Sequence, residues 1–408
     1  MLARLKNMGP GLLVAAAFIG PGTVTTASVA GAGTGYAILW ALVFSIFATV
    51  ILQEMSARLG IVSREGLGEA LRTTFENPVF KVAAVLLVVA AIAFGNAAFE
   101  TGNITGAALG LGALVGFSPQ LWSLFVGAAA FALLASGVYK VIERVLVALV
   151  VVMSIVFVVT AVIVLRPSDI PNILAGIFAP SIPPGALITV VALIGTTVVP
   201  YNLFLHASSV QEKWGEETPT RQALAESRTD TTLSIILGGT ITLAIMATAA
   251  AAFFERGIEI TDAGQMAGQL EPLLGAAAKY FFAAGLLAAG LTSAITAPLA
   301  AAYATSGALG WERNLKSWKF RSVWAAIIIF GTIFAVLGTS PVQAIVFAQA
   351  ANGVLLPIIA GFLLVVMNRA NLLGEFKNGV VGNILGGLVV LAATLIGVNL
   401  VLSALGVL

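Results

Sequence analysis

The sequence predicts an all-α membrane protein: two five-span repeats of opposite orientation, with broken helices at spans 1 and 6, followed by an eleventh span. Three observations carry this expectation. Of 408 residues 59% are hydrophobic and 9% charged, with a mean hydropathy of +1.05, which is the composition of a polytopic membrane protein. Apolar runs of roughly 17–25 residues, long enough to cross ~30 Å of hydrocarbon, recur along the whole chain. Two of these runs are interrupted at their middles by a proline set among small or polar residues, Gly20-Pro21-Gly22-Thr23 and Val199-Pro200-Tyr201-Asn202.

Taken in order, the eleven runs fall at 9–33, 36–60, 79–108, 118–138, 143–165, 184–211, 229–254, 272–309, 319–338, 340–368 and 380–406. The first, from about Gly9, leads into further spans rather than a cleavage site, so no signal peptide is expected. The eighth is long enough to tilt or project. Polar stretches at Arg58–Lys81, Gln211–Arg228, Arg256–Glu271 and Trp311–Arg321 set the orientation. With a cytoplasmic amino terminus, seventeen of the twenty Lys and Arg fall inside, leaving Arg166, Arg256 and Lys279 for the outside. Such a bias supports both the span count and the topology. An odd count then puts the carboxyl terminus outside, and Trp214, Trp311, Trp318 and Tyr139 lie beside inner charges as interfacial anchors. The near-zero net charge of +2 argues against a nucleic-acid partner. Cysteine is absent, so neither disulfides nor thiolate ligands are available.

Proline removes a backbone donor and clashes with the preceding turn. In hydrocarbon the freed carbonyls need partners in protein, water or a bound solute. One proline alone reads as a kink in a packed helix, but two at matching places in the two halves of a chain point to the substrate site of a secondary transporter. Four spans separate the two breaks, so the repeats hold five spans each. Five is odd, which inverts the second repeat. The expected units are 1–165, 184–368 and a final helix at 380–408, an architecture similar to that of the LeuT-type transporters.

Around the breaks the chain resembles the natural resistance-associated macrophage protein (Nramp) family of proton-coupled divalent metal transporters. The family's first-helix Asp-Pro-Gly-Asn, with a Gly-Pro start and a following Gly-Tyr-x-x-x-Leu-Trp run, reads here as Gly20-Pro21-Gly22-Thr23, Gly9-Pro10 and Gly35-Tyr36-Ala37-Ile38-Leu39-Trp40. Its sixth-helix Met-Pro-His with a Leu-His-Ser-like segment corresponds to Val199-Pro200-Tyr201, followed by Leu205-His206-Ala207-Ser208. Further similarity appears at Ser56–Ile61 and at Ala348-Gln349 with Pro357.

The resemblance implies a transition metal held by the first-helix Asp and Asn, the sixth-helix Met and a nearby carbonyl, the soft thioether favouring manganese or iron. Here Gly20, Thr23 and Val199 stand at those side-chain positions, and no methionine lies at either break. No metal-ligating set is therefore assigned. What remains for a substrate is Gly20, Gly22, Thr23, Val199, Tyr201, Asn202, Gln349 and Asn352, with Thr25, Thr26, Thr196 and Thr197 nearby. A bare divalent ion at mid-membrane without a carboxylate is costly, since one side-chain charge there costs about 3 kcal/mol on insertion scales. Two solutions stay open. One is a cation that keeps its water shell, as magnesium does. The other is a small anion such as bicarbonate, or a neutral solute, drawn to the free N–H groups that open the second half-helices. A channel or sensor on the same scaffold is a further alternative, opposed by the broken-helix pair.

Proton coupling in the family uses the sixth-helix His, the first-helix Asp and a third-helix Asp-x-x-Glu pattern. Tyr201 stands at the His position and, with a reference pKa of about 10, does not titrate near neutrality. Glu100 and Asn103 align with the third-helix pair. The coupling candidates are thus Glu100, alone in an apolar run, and His206, the only histidine, for which the absence of the family's usual partners favours a satisfied buried imidazole over a proton carrier. Glu54 and Asp230 are expected to pair with Arg58 and Arg228 at the interface. No P-loop, ATP-binding domain or Cys/His cluster is present, so no enzyme chemistry and no cofactor are expected, and the expected partners are a small inorganic ion and the bilayer.

Overall fold

A computed structural model describes residues 9–11, 14, 19–136, 139–312, 314–338 and 340–407. All regular structure among them is helical. Among the described residues ten helices are long and apolar enough to cross a membrane. They correspond to spans 2 to 11. The predicted first span lies partly outside the described residues, and its described second half is the helix Pro21–Thr34.

The observed spans are Leu39–Ser63, Pro78–Val115, Pro119–Ser136, Tyr139–Val164, Leu187–Thr197 continued by Pro200–Lys213, Thr220–Phe253, Ala278–Leu309, Trp318–Leu337, Pro341–Val366 and Val380–Ala404. Three differ from expectation for physical reasons. Span 3 runs past residue 108 because Gly110 and Gly112 sit inside the helix, which stops only at Gly116 with φ 83°. Span 7 begins at Thr220, directly after Pro219, so the polar residues up to Asp230 are helical too. Span 8 starts at Ala278 because Pro272 opens a short separate turn that Gly275 ends with φ 53°.

Prolines alone do not break these helices. Pro298 and Pro357 lie inside continuous spans 8 and 10. At Pro21 and Pro200 the preceding residue is extended, Gly20 with φ −103° and ψ −175° and Val199 with φ −75° and ψ 120°, so a new helix starts at each proline.

Many contacts between the described spans follow the exchange of span n with span n+5. Spans 3 and 8, 2 and 7, and 4 and 9 pack on each other, each pair mapping onto itself. The 1–7 contact maps onto 6–2, 3–10 onto 8–5, and 3–9 onto 8–4, and all of these are present. That is the signature of a five-plus-five repeat, with span 11 added against span 10. Small residues let backbones approach closely. Gly290 of span 8 lies on the Asn103 carbonyl of span 3, Gly31 of span 1 on Met246 of span 7, and Gly60 of span 2 on Ala207 of span 6.

Connections sort to two ends. At one, Arg58 donates to the Phe376 carbonyl (2.8 Å) and Asn378 Oδ1 (2.8 Å), Arg64 reaches the carbonyls of Trp214 and Gly215, and Arg221 pairs with Glu375. We call this the basic end. At the other, Tyr36, Arg166, Asp169, Glu255, Arg256 and Glu271 line one cavity.

Candidate functional site

The two breaks meet in the middle of the bundle. Thr23, in the first turn after Pro21, shares a 2.7 Å hydroxyl contact with Thr196, in the last turn before the second break. The Thr197 carbonyl, left over where the first half-helix ends, lies 3.4 Å from the Thr49 hydroxyl of span 2, which it shares with the Ser45 carbonyl at 2.7 Å.

Gln349 of span 10 lies over Gly22, where a β-carbon would collide with its amide, and faces Gly102 of span 3. Both amide atoms of Gln349 are buried without a hydrogen-bond partner, as are both of Asn202, the Tyr201 hydroxyl and Asn352 Nδ2. Thr25 and Thr26 also carry unpartnered buried hydroxyls. Buried polar groups are nearly always paired, so a concentration of exceptions marks a place where something else binds. The second half-helices begin here, where the N–H of Val24 donates to the Gly20 carbonyl and that of Asn202 to the Val199 carbonyl, both at 3.1 Å.

The structure does not gather every expected residue at one point. Gly22, Gln349, Thr23 and Thr196 line the junction of the breaks. Gly20 faces Ser293 of span 8 and Asn103 of span 3. Asn352, one turn beyond Gln349, faces Gly95 of span 3 instead. Tyr201 stacks edge-on against Phe99 with centroids 5.5 Å apart. Val199 is buried in the apolar core and offers no polar side-chain atom.

Glu100 is fully buried in span 3, with Gly331 of span 9 packed on its methylenes. Its Oε2 accepts from Asn103 Nδ2 at 3.2 Å, and its Oε1 has no partner. His206 is also fully buried, but held on both ring nitrogens: Nδ1 lies 2.9 Å from Gln53 Oε1, and Nε2 lies 3.4 Å from the Thr231 hydroxyl. The Gln53 oxygen can only accept, so Nδ1 carries a proton.

Two acids at the basic end behave differently from each other. Glu54 pairs with both Arg58 (3.1 Å) and Arg228 (2.9 Å), as expected. Asp230 does not pair with an arginine in the way expected of it. Its carboxylate accepts from the backbone N–H groups of Gly9 (3.2 Å) and Gly11 (2.8 Å), and a carboxylate is the favoured partner for amides at a helix start.

Ser293 and Thr231 were not singled out from the sequence, nor was Gln53 as a partner of His206. The available signal for Ser293 was Thr292-Ser293 inside an otherwise apolar span; for Gln53 it was a buried amide beside Glu54. Among the described residues, no three His, Asp or Glu side chains converge to hold a metal.

The central polar cluster is sealed. Pro21 to Ser28, Tyr201, Asn202 and Gln349 are all buried. A cleft of about 1220 Å3 opens from the end opposite the basic one, between Val29, Ala32 and Gly33 of span 1, Ile188 and Thr189 of span 6 and Val342 to Phe347 of span 10. It stops at Val29, about two helical turns short of Gly22.

A model of the natural resistance-associated macrophage protein-like (Nramp) family matches residues 11–403. The chain belongs to the Nramp family. The divalent metal cation transporter MntH of Yersinia pestis is similar to this Nramp chain at 30% identity, covering 98% of this chain and 96% of the relative. A manganese transporter of Eremococcus coleocola, solved as its E129A mutant, superposes with a TM-score of 0.78 at 23% identity, over 97% of this chain and 86% of the other. MhsT in complex with L-phenylalanine superposes with a TM-score of 0.57 at 16% identity, over 97% and 98%. These structural likenesses fix the fold of this Nramp protein as LeuT-like and leave its substrate to the chemistry of the breaks.

Proposed function

We propose that this Nramp protein is a secondary transporter of a divalent metal cation by alternating access, and that the cation keeps part of its water shell, as Mg2+ does. The observation that carries the reading is the donor set at the breaks. Gly20, Thr23 and Val199 offer neither carboxylate nor thioether, while Gln349, Asn202, Thr25 and Thr26 offer neutral oxygens and nitrogens without protein partners. Neutral oxygen donors suit a hard ion that retains water, and the thioether that favours Mn2+ or Fe2+ over harder ions is missing. Relatives named as divalent metal cation transporters support the cation class. We extend the proposal to the substrate-binding residues Gly20, Gly22, Thr23, Val199, Tyr201, Asn202, Gln349 and Asn352, to repeats at 1–165 and 184–368 with an added helix at 380–408, and to an amino terminus on the cytoplasmic side.

Uptake into proteoliposomes tests it, with Mg2+, Mn2+ and bicarbonate compared in parallel, with and without a pH gradient. The expected outcome is saturable Mg2+ uptake with weak Mn2+ uptake. High-affinity Mn2+ uptake would sink the hydrated-ion reading. Bicarbonate uptake indifferent to both metals would establish an anion carrier, which the free amide donors of Gln349 and Asn202 also fit. Accumulation driven by the pH gradient would show proton coupling.

A further inference from the structure

The geometry points to a cation subsite on the span 3 and span 8 side of the first break: Asn103 Oδ1 and Ser293 Oγ ligate the partly hydrated divalent ion beside Gly20, and Glu100 supplies the countercharge from behind Asn103. This rests on the divalent-cation reading above and deepens it.

Gly20 brings no side chain to the break. A β-carbon there would stand 2.9 Å from Ser293 Oγ, closer than side chains tolerate, and 3.9 Å from Asn103 Oδ1, so these two oxygens converge on Gly20 from two different spans, and an ion enters between them when Ser293 turns its hydroxyl aside. Asn103 is fully buried, and its Oδ1 has no hydrogen-bond partner. The amide is not free to turn away, because its Nδ2 donates to Glu100 Oε2 at 3.2 Å. The same bond polarises the amide. An N–H donated to a carboxylate pushes electron density onto the carbonyl oxygen, which makes Oδ1 a stronger ligand for a hard cation.

Charge completes the argument. An intramembrane carboxylate ordinarily pairs with a protein cation. Among the described residues Glu100 forms no ion pair, its Oε1 is unpartnered, and the span 9 residue packed on it is Gly331. A substrate cation beside Gly20 supplies the positive charge beside which Glu100 takes its carboxylate form. The carboxylate that the family resemblance places on the first helix is thus replaced in function by one on the third, acting through an amide. All contributed donors are oxygens, which selects Mg2+-like over thiophilic ions. Asn103 and Ser293 are ligands in this account, and Glu100 is a positioning residue that tunes them.

The test is Mg2+ uptake by the reconstituted full chain, recorded as KM and maximal rate at two pH values. Glu100→Gln and Asn103→Leu are expected to raise KM by about tenfold or more, the usual scale for losing a ligand or its outer partner. Ser293→Ala should raise it less. Moving the carboxylate back tests function rather than structure: in the Glu100→Gln background, Gly20→Asp with Ser293→Ala, which removes the crowding hydroxyl, should recover most of the lost affinity. If Asn103→Leu fails to fold, Asn103→Asp keeps its shape; a ligand role predicts a larger Mg2+-dependent rise in melting temperature than wild type, and an unchanged rise overturns the proposal. A Glu100→Gln protein with wild-type KM that loses only pH-driven accumulation also overturns it, making Glu100 a proton carrier. Wild-type vesicles that take up no divalent cation would defeat the transport reading itself, whereas saturable wild-type uptake with unchanged variants defeats this inference alone.

Discussion

A β-carbon at Gly22 would collide with the amide of Gln349, yet one at Gly102, on the other side of the same amide, would sit at an ordinary 3.4 Å. The pair makes a controlled experiment. Gly22→Ala should push Gln349 out of the junction of the breaks and lower Mg2+ uptake by about tenfold, equivalent to ~1.4 kcal/mol. Gly102→Ala should leave uptake unchanged. Because the atoms displaced by Gly22→Ala are the end of a flexible side chain, the melting temperature should hold, and a loss of folding with no specific uptake defect would reject the role given to Gln349. At this scale the sequence was partly legible. Gly20, Gly22 and Gln349 could be read because they flank a proline or match a motif. Ser293 could not, since a serine in a membrane helix usually bonds its own backbone and nothing local reveals that it faces Gly20. Asp230 was misread for a related reason: its sequence neighbour is Arg228, but its spatial neighbours are the amides of Gly9 and Gly11, 219 and more positions away.

Elements move as units only if the contacts between them can open, and here those contacts are glycine on backbone. Gly60 of span 2 against Ala207 of span 6 and Gly31 of span 1 against Met246 of span 7 are equivalent under the repeat, and they lie toward opposite ends. Gly60→Val should wedge the basic end apart and Gly31→Val the other, each costing about 1–3 kcal/mol in stability from overpacking. The chain has no cysteine, so a single introduced reporter is unambiguous. A cysteine at the buried Ser56, whose hydroxyl bonds the Leu203 carbonyl of span 6, should gain reactivity in Gly60→Val and not in Gly31→Val. The carboxylate of Asp230 holds the start of span 1 in the same way. Asp230→Ala removes a charge-assisted acceptor contributing about 1–2 kcal/mol, and should also raise labelling at Ser56. Equal labelling in wild type and Asp230→Ala would show that this contact does not hold the end closed. The helix breaks explain why elements were easier to predict than their boundaries. Composition located the spans, and matching positions beside small or polar residues marked Pro21 and Pro200 as breaks, but the exact ends follow from the extended backbone at Gly20 and Val199, which Pro298 and Pro357 inside continuous helices lack.

Across the whole molecule, the charge distribution and the closed state of the site combine into a statement about sidedness. Arg58, Arg64, Arg221 and Arg228 are drawn into contacts at one end, while the described cleft opens at the other. Positively charged connections stay on the cytoplasmic side of a bilayer because translocating them is disfavoured. On the proposed topology the cleft between spans 1, 6 and 10 faces outward, and the closed polar network at Glu54, Arg58 and Arg228 is the inner barrier. Two single-cysteine proteins decide this in intact cells. A cysteine at Glu217, in the exposed connection between spans 6 and 7, should resist a membrane-impermeant maleimide. One at the exposed Glu259, in the connection that lines the cleft, should react. Because each span carries the chain to the opposite side, the reverse result would invert the entire topology rather than one loop. It would place the seventeen cations outside and make the cleft a cytoplasmic opening. Uptake and efflux would then exchange roles, so the labelling pattern also fixes the direction in which the substrate reaches Gly20 and Gly22.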